Sequence, residues 1–157
     1  MHNNPLEPWL ALLHLPSMNP RLFNKLLEVF HCPQAVLDLD MIVLRQLELN
    51  QNLISAIDAY RTKAKTCHIR QKVSRDIDWQ EAQDNNIVSL ACAKYPPLLK
   101  QIPDPPPVLY LRGNQDLTSH PQLAIVGSRN PSPGGRKTAW RFAKELTQNG
   151  LSVCSGM

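Results

Sequence analysis

Cysteine and glycine are scarce in this chain, and both shortages narrow the class of protein. Its 157 residues include four cysteines and six glycines. No two cysteines form a Cys-x-x-Cys pair, which argues against a zinc site and against a disulfide framework. The cysteines are Cys32, Cys67, Cys92 and Cys154. We therefore expect no metal site and a reducing, cytoplasmic compartment.

The few glycines do not form the glycine-rich motifs that bind nucleotides. The P-loop pattern Gly-Lys-Ser/Thr and the dinucleotide fingerprint Gly-x-Gly-x-x-Gly are both absent. The Gly-x-Ser-x-Gly motif of serine hydrolases is also missing. Ser128 and Ser155 lie at expected strand ends, but the nearest histidine, His120, belongs to a separate predicted loop. We therefore predict no catalytic residue.

Long apolar segments are missing too. No apolar stretch approaches the length that crosses a bilayer, and residues 1–5 lack the basic and apolar regions of a secretory signal. We expect no membrane contact. The length of the chain suits one ordinary domain or two small ones.

Helix start signals dominate the first part of the chain. Asn4 and Asn19 each stand directly before a proline, a residue that is favoured at the first position of a helix. Apolar residues then recur at helical spacing. The expected helices begin at Pro5 and Pro20 and after Pro33, Asp40 and Asn50. We predict an all-α domain over residues 1–75.

The end of this predicted domain is strongly basic. Residues 61–75 contain six Lys or Arg and no acidic residue. Such a strip could contact phosphates, or it could be the solvated end of a helix that runs into a linker. The sequence leaves both interpretations open.

Residues 76–157 have the pattern of an α/β domain. Asp78 and Glu81 resemble a capping box at the start of a helix. A second helix is expected over residues 135–148, closed by Asn149 and Gly150. Short apolar runs predict four strands, at residues 87–91, 108–111, 123–126 and 151–155. The third of these runs is apolar throughout, which predicts burial on both faces.

The last two predicted strands and the helix between them form a βαβ unit. A right-handed crossover makes such strands parallel. The predicted fold class is therefore α/β, with an all-α domain followed by the first half of a Rossmann-like parallel sheet domain. Because the other half of such a sheet would follow, we expect Met157 to be a premature or artificial end.

The loop inside this unit is the main candidate for function. Gly127, Ser128 and Arg129 follow the third predicted strand and precede a helix. Backbone N–H groups at the start of a helix bind phosphate, and an arginine adds a planar charge that suits phosphate oxygens. Residues 123–157 carry five Lys or Arg and one Glu. The pattern predicts a phosphate-bearing ligand, either a nucleotide or a nucleic acid.

The helix after the loop carries more positive charge. Lys137, Arg141 and Lys144 share one face at helical spacing, and Arg136 lies beside them. This face could be a phosphate track or an ordinary solvated surface. Trp140 could stack on a base, or it could pack into a core or an interface.

An ordered set of motifs resembles the DNA-processing protein A family (DprA, also called Smf). It covers residues 76–157 strongly and residues 6–60 loosely. Its components are Tyr95-Pro96 with Leu98-Leu99, Ile102-Pro103-Asp104 with Pro107, Leu109-Tyr110 with Arg112-Gly113, residues 124–129, Gly135, Val153, and Ser155-Gly156.

The resemblance implies a non-enzymatic protein that binds single-stranded DNA in a basic pocket of a Rossmann-like domain. Such proteins protect incoming DNA during bacterial natural transformation and help to load a RecA-type recombinase. No cofactor is expected, and the full-length protein is expected to form a homodimer. The loop at residues 127–129 corresponds to the family's pocket, and the end of the last strand lines it. The predicted DNA-binding residues are Gly127, Ser128, Arg129, Gly135, Arg136, Lys137, Ser155 and Gly156.

Two alternatives remain for these regions. A nucleotide- or phosphoribosyl-binding hydrolase of Rossmann-like fold could use the same loop. The helical part, residues 1–75, resembles the helix-hairpin-helix or SAM-like domain of the family. The connection between its first two helices, residues 15–20, contains no glycine, which favours a structural or protein-binding role over DNA binding.

Overall fold

A computed structural model describes residues 4–62 and 67–156 of the chain. The chain divides into two units, Met1–Gly113 and Asn114–Met157. Within the described residues, the first unit holds six α-helices and an antiparallel pair of strands, and the second holds one α-helix between two parallel strands. The fold is therefore mixed α/β, as the sequence predicts. None of the described helices is both long and apolar enough to cross a bilayer.

The helices of the first unit begin close to the predicted start signals. The Asn19 side chain accepts a hydrogen bond of 3.0 Å from the Leu22 amide and so caps its helix. The first helix begins at Glu7, later than predicted, because the Asn4 side chain instead closes a turn onto the Leu6 amide. The six helices are α1 Glu7–Leu13, α2 Pro20–Phe30, α3 Pro33–Leu37, α4 Met41–Gln46, α5 Gln51–Arg61 and α6 His68–Gln80.

Apolar side chains of these helices form a core into which two strands also insert. Phe23 is fully buried, and its ring stacks on Trp9 with centroids 5.7 Å apart. Ile87 of β1 (Asn85–Ser89) and Val108 of β2 (Val108–Arg112) are buried in the same cluster. Other fully buried members are Leu10, Leu12, Leu44, Leu53 and Ile57. The helices and these strands therefore share one hydrophobic core.

Strands β1 and β2 pair in antiparallel fashion, with Asn85 opposite Arg112. The segment between them contains a short 3₁₀ helix, Leu99–Gln101. The Tyr95 hydroxyl donates a hydrogen bond of 2.7 Å to the Pro106 carbonyl and fixes the proline-rich turn. Strands β1 and β2 form a sheet of their own, apart from the parallel pair of the second unit.

The capping box predicted at Asp78 and Glu81 is wrong, because α6 ends at this point instead of beginning there. Ile69 and Val73 are buried and Ile77 packs on the core, so one apolar stripe continues across residues 75 and 76. The division into domains at residues 75 and 76 stays a prediction, although both residues lie inside α6.

Asp76 of α6 joins three elements of the first unit. Its Oδ2 atom lies 2.5 Å from His14 Nε2 and accepts a hydrogen bond of 2.7 Å from the Tyr110 hydroxyl. The Tyr110 ring meets the Trp79 ring edge-on, with centroids 5.5 Å apart. These contacts connect the second half of α6 to His14, at the end of α1, and to Tyr110 of β2.

Two arginines of the basic stretch support the helical core. The Arg61 guanidinium donates hydrogen bonds to the Leu37 and Leu39 carbonyls, near the end of α3. Arg70 donates to the Tyr60 carbonyl at 2.7 and 3.1 Å and covers the Tyr60 ring at 4.4 Å from its centroid. These contacts satisfy carbonyls that helix ends leave open. The phosphate-contacting strip, one of the two interpretations of residues 61–75, stays a prediction, and residues 63–66 of this stretch lie outside the described residues.

In the second unit, helix α7 (Pro133–Gln148) connects β3 (Gln122–Ala124) to β4 (Ser152–Cys154). The two strands are parallel, with Leu123 opposite Val153, as predicted. Gly150 has a φ of +81°, which confirms the left-handed end of the helix. The prediction that residues 123–126 are buried on both faces is wrong, because Leu123 is exposed and Val126 is 86% exposed. Within the described part of this unit, β3 pairs with one strand only.

Candidate functional site

The predicted loop and the predicted strand end lie at one edge of the parallel pair. Ala124 pairs with Cys154, and the Ile125 amide donates a hydrogen bond of 2.9 Å to the Cys154 carbonyl. The chain leaves the sheet directly after these contacts. Residues 127–129 and residues 155–156 are therefore both exposed beyond the carboxyl ends of neighbouring strands. Ligands of open parallel sheets bind at this edge.

Serine side chains organise the backbone of the loop. The Ser128 hydroxyl accepts a hydrogen bond of 3.1 Å from the Asn130 amide and closes a turn. The Ser132 hydroxyl accepts one of 3.1 Å from the Gly135 amide and caps α7. Pro133, the first residue of the helix, has no N–H group. Fewer free amide donors therefore remain at the start of α7 than the sequence suggests.

Two glycines have different roles in this loop. A Cβ atom on Gly135 would lie 3.3 Å from the Ser132 hydroxyl oxygen and would crowd the helix cap. Among the residues that the structure describes, a Cβ atom on Gly127 would meet nothing within 4 Å, and the Gly127 φ lies outside the left-handed region. Neither packing nor backbone conformation therefore requires glycine at position 127. What glycine provides there is open access to the backbone.

The positive charges of the second unit are exposed, and no acidic partner for them lies among the described residues. None of its arginines or lysines forms an ion pair within the described residues. The acidic residues of the same region are Asp116 and Glu145. The cationic side chains are Arg129, Arg136, Lys137, Arg141 and Lys144. A polyanion would meet these charges without first displacing a carboxylate.

Helix α7 has one half-buried face, formed by Ala139, Ala143 and Leu146 as the sequence predicts. Phe142, predicted to belong to this face, is 62% exposed. Trp140 is 64% exposed, so the interpretation that it packs into a core is wrong within the described part of the unit.

Comparison with known proteins relates the segment that contains this loop to a protein family. A family model described as DNA recombination-mediator protein A matches residues 86–157. Residues 86–157 belong to the DprA/Smf family. The match begins inside β1 and includes every predicted DNA-binding residue, so the family resemblance drawn from the sequence motifs is confirmed.

Relatives in three bacteria match different lengths of the chain. The DNA processing protein DprA of Bacillus subtilis is 33% identical over 87 residues, which are 55% of this chain and 29% of that protein. Protein Smf of Synechocystis is 25% identical over 100% of this chain and 39% of its own length. The DNA processing protein DprA of Streptococcus pneumoniae is 40% identical over 63 residues, 40% of this chain and 22% of that protein. The chain thus spans less than two fifths of each.

Ser132 caps the helix beside the candidate loop of this DprA/Smf segment, and the sequence analysis missed this residue. Its signal is a serine followed by proline at the first helical position, which is the same signal that predicts α2 at Asn19. The predicted helix begins at Gly135, whereas α7 begins at Pro133. The cap fixes where the loop ends and the helix begins.

Replacing Ser132 with alanine should loosen the first turn of α7. Loss of an N-cap costs about 1 kcal/mol, so the amides of the first turn should exchange with solvent about five times faster. Hydrogen exchange measured by NMR at Gly135 tests this. The Ser132→Asp variant, which keeps a capping oxygen, should exchange like the unmodified chain. Equal exchange in the alanine variant would show that the cap does not stabilise this turn.

Proposed function

We propose that this protein binds single-stranded DNA through its backbone phosphates at residues 127–129 and 155–156. Binding would serve a non-enzymatic mediator of recombination that protects DNA during natural transformation and helps to load a RecA-type recombinase. The proposal includes a homodimer of the full-length protein and a Rossmann-like arrangement of its second domain. It assigns the principal phosphate contact to Arg129, with Gly135, Arg136 and Lys137 at the adjoining helix start.

One observation carries the proposal. Gly127, where packing and backbone conformation within the described residues do not require glycine, lies two residues before Arg129. Arg129 has no acidic partner in the described residues, and both lie at the carboxyl edge of a parallel strand pair. Gly127 leaves room for a phosphate to approach the backbone, and the Arg129 guanidinium can donate two parallel hydrogen bonds to it. Contacts of this kind hold a nucleic acid without reading its sequence.

The family comparison supports DNA as the anion. The matching family is described as a recombination mediator, and two of the relatives are named as DNA processing proteins. None of these names describes a catalytic enzyme. Within the described residues, no three His, Cys, Asp or Glu side chains lie close enough together to hold a metal ion.

Replacing Arg129 with alanine should weaken binding to mixed-sequence single strands about 10- to 150-fold, and equally for all sequences. A charge-assisted contact to phosphate contributes about 1.5–3 kcal/mol, which corresponds to this range. The salt dependence should also fall, by about 0.7 in the slope of log K against log salt, because one phosphate contact is lost. Fluorescence anisotropy of labelled oligonucleotides, titrated at several salt concentrations, measures both quantities.

The matched control is Arg45→Ala, which removes the same charge from the exposed last turn of α4. It should change affinity and slope little. Unchanged affinity and slope in Arg129→Ala would overturn the assignment of the phosphate contact. Saturable binding and turnover of mononucleotides would instead favour the nucleotide-binding hydrolase.

A further inference from the structure

Helix α7 carries a stripe that mixes cations with one large aromatic ring. Lys137, Trp140, Arg141 and Lys144 follow each other at positions i, i+3, i+4 and i+7, so they lie on one side of the helix. At 1.5 Å per residue the stripe is about 10 Å long. We call these four residues the basic–aromatic stripe. It begins one turn after the start of the helix.

Trp140 is the exposed centre of the basic–aromatic stripe. It is 64% exposed, whereas the other two tryptophans, Trp9 and Trp79, are partly buried against the core of the first unit. The Lys144 ammonium lies 5.3 Å from the centroid of the Trp140 ring, a cation–π contact. Lys144 therefore occupies one side of the ring and leaves much of the indole surface open.

The surroundings of Trp140 decide which class of ligand fits. Cores of protein–protein interfaces are depleted in lysine. Two lysines, Lys137 and Lys144, flank Trp140 together with Arg141, so its surroundings do not resemble such a core. Proteins that bind single strands combine a track of cations for the backbone with aromatic rings on which bases stack. The stripe has both components within one helix face.

We propose that Trp140 stacks on a base of a bound single strand, while Lys137 and Arg141 contact the adjoining phosphates. This inference rests on the proposed function and adds a second contact surface to the one at Arg129. Stacking on an indole ring accepts any base, because every base has a π face. The protein would thus recognise unpaired bases as well as phosphates, and would favour single strands over duplexes, whose bases are stacked on each other.

The same helix provides a matched control for this inference. Phe142 is 62% exposed, almost as much as Trp140, but it lies about 200° away around the helix. It lines a depression of about 400 Å³ with Thr138, Arg141 and Glu145, of which only Arg141 belongs to the stripe. If any exposed apolar side chain contributed to DNA affinity, truncating Phe142 or Trp140 would weaken binding alike. If the basic–aromatic stripe is the contact, only truncation of Trp140 weakens binding.

The experiment compares the variants Trp140→Ala, Trp140→Phe and Phe142→Ala on two probes. One probe is an oligothymidine, and the other is an abasic single strand of the same length and charge. Trp140→Ala should bind oligothymidine about 5- to 150-fold more weakly, the range found for one stacked base. Trp140→Phe should retain most of the affinity, and Phe142→Ala all of it. The abasic strand should not distinguish Trp140→Ala from the unmodified chain. Circular dichroism checks that the variants fold.

Each other result overturns the inference in an identifiable way. Equal affinity of Trp140→Ala and the unmodified chain for oligothymidine removes the stacking role and leaves the Arg129 contact intact. An equal loss on both probes means that Trp140 acts through the fold. An equal loss in Phe142→Ala points to apolar contact in general. A change in sedimentation with unchanged binding identifies a protein contact. An unmodified chain that binds neither probe overturns the proposed function and the stacking together.

Discussion

Replacing Phe23 with alanine should lower the free energy of unfolding of the helical core by about 3–5 kcal/mol. Phe23 is fully buried in α2, and its ring stacks on Trp9. Removing the ring loses its transfer free energy, leaves a cavity and deprives Trp9 of its stacking partner. Since domains of this size have stabilities of about 5–15 kcal/mol, the loss removes a large part of the total.

Urea denaturation followed by circular dichroism measures this loss through the shift of the midpoint. Val29→Ala is the control on the same helix, because Val29 is 57% exposed and its truncation should change stability by less than about 0.5 kcal/mol. Equal midpoints for Phe23→Ala and Val29→Ala would mean that the core is not organised around the Phe23 ring.

The first unit, Met1–Gly113, should also unfold in alkali. Every tyrosine of the chain lies in this unit, and its surroundings keep the phenol protonated. Burial, then the hydrogen bond to Glu7, raises the pKa of Tyr60 from 10.0 to about 12. Burial, then the hydrogen bond to Asp76, raises the pKa of Tyr110 strongly. Burial alone raises the pKa of Tyr95.

The sign of the pH dependence follows from these directions. A raised pKa means that the folded state binds the phenolic proton more tightly than the unfolded state does. Stability from this source is therefore complete below pH 10 and is lost as the pH rises through the folded-state pKa values. For Tyr60 alone, a change from 10.0 to about 12 corresponds to a loss on the order of 3 kcal/mol.

Absorbance of the phenolate, followed together with circular dichroism during an alkaline titration, tests this prediction. Ionisation and unfolding should occur in one transition above pH 10. Tyr60→Phe should be less stable at neutral pH by about 1–2 kcal/mol, because Glu7 loses its hydrogen bond, but its stability should fall less steeply in alkali. Tyrosines that ionise near pH 10 without any loss of helix would contradict the prediction.

Local signals in the sequence predict much of this fold. Asn19 and Pro20 fix the start of α2, and Asn149 with Gly150 fixes the end of α7, because caps and turns depend on neighbouring residues only. The parallel pairing of β3 and β4 follows from the crossover through one helix. The placement of residues 127–129 and residues 155–156 at one edge follows in turn from that pairing.

Contacts between distant residues explain what the sequence could not predict. Asp78 looks like a helix start, yet it lies in the last turn of α6, and nearby Asp76 contacts His14 and Tyr110 from other elements. Likewise, the apolar run at residues 123–126 predicts burial, but burial depends on which other elements cover the strand. The positions of the candidate site are predictable, whereas its DNA-binding role stays a proposal, because the charge pattern also fits other phosphate ligands.

The shared core of helices and β strands limits how genes of this type can be recombined. Residues 86–157 alone match the family model, so a fusion gene could be designed with its junction at residue 86. Such a junction would cut through β1 and would separate Ile87 and Val108 from the helical side chains that cover them. The break between Gly113 and Asn114 avoids this damage. Shuffling at that point keeps the core of the first unit intact, so the helical segment is inherited together with the first two strands.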